Sequence, residues 1–86
     1  MEKRFNYKFA LKEYRKLYKY IKEKGFRCDV SGSLRRKRSD VGDIDFVVEG
    51  SEEVVLEAVS LYPYIEKPIN RYEFMLKSGI CIHAIP

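Results

Sequence analysis

Two aspartates one residue apart, Asp43 and Asp45, open the run Asp43-Ile44-Asp45-Phe46-Val47-Val48. Ten residues before Asp43 stands Ser33, within Gly32-Ser33-Leu34-Arg35-Arg36. Alternate residues of a strand point to the same side, so the two carboxylates share a face and can bridge a hard divalent cation such as Mg²⁺ or Mn²⁺. Gly32 lets an anion approach the backbone closely. Ser33 and the amides of the glycine turn, at the start of a helix, can donate to a phosphate, and Arg35 or Arg36 adds a fork of donors. These residue types suit the handling of a polyphosphate together with its cation.

The elements that must position them can be read from periodicity. In residues 7–24, Tyr7, Ala10, Leu11, Tyr14, Leu17, Tyr18 and Ile21 recur at the spacing of one helical face, with Asn6 as N-cap and Gly25 just past the end. The opposite face carries Lys8, Lys12, Arg15, Lys16, Lys19 and Lys22. Phe26–Val30 reads as a strand running into the turn Ser31-Gly32-Ser33, and Leu34–Arg38 as a short basic helix. Ser39–Gly42 is a loop. The strand Asp43–Val48 becomes continuously apolar, which predicts burial on both faces at its far end. Ser51 caps a second helix with Glu52 and Glu53 in its first turn, Val54, Val55, Ala58, Val59 and Tyr62 inside, and Pro63 at its end. Residues 64–70 form a connector with a brief extended segment around Ile65. Arg71–Lys77 and Ile80–Ile85 flank Ser78-Gly79 as a hairpin. The order α, β, short α, β, α, β, β predicts an α+β domain, a mixed β-sheet with helices packed on one face.

Length and charge set the boundaries of this reading. Eighty-six residues make one domain. A chain with 45% hydrophobic and 14% aromatic residues can build a core, although so small a domain buries only about 60% of its unfolded surface. No apolar run approaches the roughly 18 residues of a membrane span. The lysine- and tyrosine-rich start is no signal peptide, so a soluble, cytoplasmic chain with Cys28 and Cys81 reduced is expected. Residues 1–38 carry 14 Lys/Arg and 4 Asp/Glu, net +10, whereas residues 39–86 carry 3 and 9, net −6. A basic half suits polyanions, nucleic acid among them, and an acidic half suits cations.

The Gly-Ser turn, the arginine pair and Gly42-Asp43-Ile44-Asp45 in register resemble the nucleotidyltransferase superfamily, specifically the palm of DNA polymerase beta and its family X relatives. The resemblance spans residues 26–86, with residues 1–25 as a leading basic helix, and implies the polymerase beta palm fold. It implies nucleotidyl transfer with two metal ions, one activating a 3′-hydroxyl and one clamping the triphosphate. Asp43 and Asp45 would hold the metals, and Gly32, Ser33, Arg35 and Arg36 the nucleoside triphosphate. The palm and its leading helix account for the whole length, so the fingers and thumb are expected from a protein partner or a second chain.

The sequence departs from the family at the last strand, where Cys81 stands in place of a third aspartate. A thiol coordinates Mg²⁺ poorly. Three alternatives follow: a third ligand from substrate, water or a partner, a softer Zn²⁺ or Mn²⁺ site built with His83, or substitution by Glu73 from the preceding strand. The activity expected is weak or partner-dependent transfer. The alternative is an inactive palm-fold module that binds nucleic acid, through the Lys and Arg of residues 1–38, or a protein. Phe5, Phe9 and Tyr20 lie off the main helical stripe and could dock a second chain.

Overall fold

The computed structural model describes residues 4–86. Residues 1–3, part of the basic leading segment, lie outside the described residues. The chain does not open directly into its helix: β1 (Phe5–Asn6) pairs antiparallel with β3 (Asp40–Val41) in a two-stranded sheet. The region 39–42 is therefore not a plain loop. Two-residue strands carry no periodic signal, and this pairing joins Phe5 to Val41 and Asn6 to Asp40, far apart in sequence.

α1 (Tyr7–Glu23) starts where expected, because Asn6 Oδ1 accepts from the Phe9 amide at 2.8 Å. Ala10, Tyr14, Leu17 and Ile21 are buried along it, but Tyr18, expected on the buried stripe, is exposed. β2 (Arg27–Ser31) leads into α2 (Gly32–Arg35), which begins two residues earlier than predicted. The helix begins early because Gly32 at φ +62° turns the chain straight out of the strand, and the Arg36 amide bonds back to the Gly32 carbonyl at 3.2 Å. Lys37 at φ +55° then ends the turn, so Arg36–Arg38 are not helical.

β4 (Asp43–Glu49) is the central strand. α3 (Glu52–Ser60) follows, with Ser51 in the N-cap position but without a side-chain cap hydrogen bond. β5 (Ile65–Pro68), β6 (Glu73–Leu76) and β7 (Cys81–Ile85) complete a five-stranded sheet of order β2-β4-β7-β6-β5. β4 and β7 run parallel, and all other pairs are antiparallel. The mixed sheet of an α+β domain is thus present. Gly79 at φ +98° makes the β6–β7 turn.

Alternation along β4 and β7 shows that the sheet is covered on one side. Ile44, Phe46, Val48, Ile82 and Ala84 are buried in one cluster with the apolar faces of α1 and α3. Val47 is exposed, and so is Ile85 at the end of β7. The expectation of burial on both faces of the 46–48 run fails at Val47, because among the described residues no second layer covers that side. Val54, expected inside, is likewise exposed, and Val55 and Val59 carry the contact of α3. Truncating Phe46 to Ala would cost roughly 3–5 kcal/mol, a large share of the stability of so small a domain. Phe5, Phe9 and Tyr20, expected to lie off the main stripe, are partly buried and pack against the core. Phe5 stacks on Phe9, and the Tyr20 hydroxyl donates to the Ala58 carbonyl at 2.6 Å. Among the described residues no helix is long and apolar enough to cross a membrane.

Candidate functional site

The open face of the sheet carries the residues singled out by type and spacing. Because Ile44 and Phe46 point into the core, Asp43 and Asp45 point the other way, both half-buried at the start of β4. Ser31, the last residue of β2, is the register partner of Asp45. This pairing lays the Gly32 turn directly against the Asp45 side chain. A Cβ at Gly32 would run into Asp45 Oδ2 and stand 3.1 Å from its Cγ. Glycine is required here twice, by its positive φ and by the carboxylate pressed against it.

A cleft of about 330 Å³ opens at this junction. Ser33 and Arg36 line it together with Gly42, Asp43 and Asp45. Two further cations line it that the sequence did not single out, Arg4 and Arg38. Arg35 is exposed and is not among the lining residues. Arg38 was hidden within a run of four basic residues, and the left-handed turn at Lys37 is what aims it. Arg4 arrives through the β1–β3 pair. Its Nε donates to Asp40 Oδ2 at 3.0 Å and its guanidinium donates to the Asp40 carbonyl at 3.3 Å. The Arg4 hydrogen bond, reinforced by the Arg4 charge, holds the Asp40 carboxyl below the usual carboxylate range. α2 has only four residues, so donors at this turn act as individual amides and a hydroxyl rather than through a long helix dipole.

β7 flanks the aspartates. Cys81 is the register partner of Asp43, and His83 that of Asp45. His83 Nδ1 lies 3.4 Å from Asp45 Oδ1. Glu73 is the register partner of His83 on the far side of β7, two strands from β4. Cys81 is half-buried. Burial pushes its thiol up first, and the charges of Asp43 and Glu73 push it further, with Lys67 opposing. Next to Asp43 there is therefore a neutral thiol at neutral pH, not an anion.

The donor set decides which cation this arrangement suits. Mg²⁺ is commonly held by one or two carboxylates plus substrate phosphates and waters, and Asp43 and Asp45 are the carboxylates here that could serve as such a pair. The protonated thiol of Cys81 offers no third hard anion. Among the described residues no group of three or more His, Cys, Asp or Glu is placed to hold a metal ion. No model of a known protein family matches the chain, and no curated protein matches it in sequence.

Proposed function

We propose that the chain is a nucleotidyltransferase-like palm, similar to that of family X DNA polymerases, that binds a nucleoside triphosphate with its divalent cation and performs weak or partner-dependent nucleotidyl transfer. The observation that carries this reading is the shared cleft, which Ser33, Arg36 and Arg38 line together with Asp43 and Asp45. A polyphosphate needs cationic donors around its oxygens. The cation that accompanies it needs hard anionic oxygens on its other side.

In this reading Ser33 and the turn amides donate to phosphate oxygens, while Arg36, Arg38 and Arg4 offset the phosphate charge. Asp43 and Asp45 would hold Mg²⁺ or Mn²⁺, which when bound supplies charge neutralisation on the transferring phosphoryl group. Gly32 keeps Asp45 in place by leaving room for its carboxylate. Transfer forms a bond from an acceptor hydroxyl oxygen to the α-phosphorus and breaks the bond to the β-phosphate oxygen, so pyrophosphate leaves and the hydroxyl proton passes to solvent. Cys81, standing beside Asp43, offers no hard carboxylate to assist that proton loss. A partner chain supplying a carboxylate there would raise the rate.

The pairing of Asp43 with Cys81 rather than with a third carboxylate also favours a second reading, a palm that binds nucleotide or nucleic acid without turnover. Labelled nucleoside triphosphate with a primed template and Mg²⁺ or Mn²⁺ separates the two. Incorporation that vanishes in Asp43→Ala supports transfer. Cation-dependent binding with no incorporation supports the silent module, and neither binding nor incorporation removes both.

A further inference from the structure

On the outer side of the helical layer, α1 presents a second charged feature that the cleft does not use. At about 100° per residue, Lys8, Lys12, Arg15, Lys19 and Lys22 fall within an arc of about 80°. At a rise of 1.5 Å per residue the row runs about 21 Å along the helix. All five are exposed. Among the described residues no ion pair engages any of them. Of the two acids of α1, Glu13 is buried and paired with Lys16 at 3.5 Å, and Glu23 sits on the last turn. A shallow groove of about 440 Å³ runs between Lys8, Lys12, Arg15 and Lys19 over Leu11.

We infer that this row is a docking surface for the phosphate backbone of duplex nucleic acid, tethering the chain to a duplex independently of the cleft. Phosphates recur about every 3.4 Å along each strand of a duplex, so the row spans several of them, and five unpaired cations match that density of charge. An anionic membrane is the poorer fit. The apolar face of α1, formed by Ala10, Tyr14, Leu17 and Ile21, is committed to the core, so a lipid surface would gain only the electrostatic part of what a surface helix offers. A single strand is also the poorer fit, because such sites interleave cations with aromatic platforms, and no aromatic residue falls within the arc. Contacts of this kind position without reading sequence.

The test is fluorescence anisotropy of the whole chain with a labelled duplex of roughly 20 base pairs across a salt series, beside the single strand of the same length and phosphatidylserine vesicles. Five contacts predict a slope of log affinity against log salt of about −4.5 for the duplex. The triple variant Lys12→Gln, Arg15→Gln, Lys19→Gln should make that slope shallower by about 2.7 and weaken low-salt binding at least roughly tenfold. Glutamine keeps good helix propensity, and a thermal melt by circular dichroism checks the fold; Lys8→Gln, Lys22→Gln at the two ends of the row is the second variant, expected to lower the slope by about 1.8. Arg36→Gln in the cleft supplies the contrast. A slope lowered by Arg36→Gln but not by either stripe variant moves the contact to the cleft and overturns the proposal. So does tighter binding to the single strand, binding to vesicles but not to duplex, or no duplex binding at low salt.

Discussion

Gly32 and Asp45 occupy adjoining space so tightly that only a residue without a side chain fits at position 32. The contact joins the end of β2 to the central strand at the mouth of the cleft. It ties a backbone requirement to the placement of a candidate metal ligand.

Gly32→Ala should therefore fail in two ways. The left-handed φ alone costs roughly 1–2 kcal/mol for a residue with a Cβ, and the collision with the carboxylate adds to it. Chemical denaturation should show the loss of stability. Calorimetric titration of Mn²⁺ with a nucleoside triphosphate should show an affinity at least roughly tenfold weaker, since Asp45 must move. An alanine variant with unchanged affinity would mean that Asp45 is not held where binding needs it.

Cys81→Asp tests whether β7 aims its first side chain at the same spot as Asp43. Their register pairing places the new carboxylate beside Asp43, so divalent cation affinity should rise by about tenfold, the equivalent of about 1.4 kcal/mol. The gain should show in a Mn²⁺ titration followed by electron paramagnetic resonance. An unchanged affinity would detach Cys81 from the cation site. In the wild type, the raised thiol predicts slow alkylation at pH 8, and Asp43→Asn should speed it by removing one of the charges that raise it.

How much of this was legible beforehand depended on the range of the interactions involved. The α1 boundary was readable because Asn6 and the apolar spacing act within a few residues of each other. The shared face of Asp43 and Asp45 was readable because strand alternation is local and rigid. Val47 reads as buried from sequence because an apolar residue in a strand looks the same whether or not a second layer covers it, and only the tertiary arrangement leaves that side open. Arg4 could not be found from its neighbours, since its place in the cleft depends on a pairing between Phe5–Asn6 and Asp40–Val41. Arg35 and Arg36 were indistinguishable by type. The turn from Gly32 to Lys37 separates them, leaving Arg35 outside the cleft lining and Arg36 within it.

Alkaline pH should destabilise the fold. Burial holds the Cys28 and Cys81 thiols above their ordinary value near 9, and the Tyr14 and Tyr20 hydroxyls above their ordinary value near 10. Burial, with the charge of Glu13 adding to it, pushes Tyr62 up to about 12. Tyr14 is raised further by its contact with Cys28, whose Sγ lies 3.7 Å from its hydroxyl. As pH rises through these ordinary values, the unfolded chain releases protons that the folded chain retains. The contribution of these groups to stability is therefore complete below about pH 9 and falls as pH climbs toward the folded values. Thermal melts from pH 7 to 11 should show a falling midpoint from about pH 9 upward. The Tyr62 hydroxyl is buried without a hydrogen-bond partner, so Tyr62→Phe should be neutral or stabilising by about 1 kcal/mol at pH 7 and should flatten the decline above pH 10. A midpoint independent of pH up to 11 would contradict the burial of these groups.

The most direct test of the central claim is calorimetric titration of a nucleoside triphosphate into the whole chain with and without Mn²⁺, repeated with Asp43→Asn. A cleft lined by both arginines and aspartates predicts binding that requires the cation in the wild type and weakens at least roughly tenfold in the variant, a loss of about 1.4 kcal/mol. Binding that is equally tight without the cation, or unchanged in Asp43→Asn, would contradict the account.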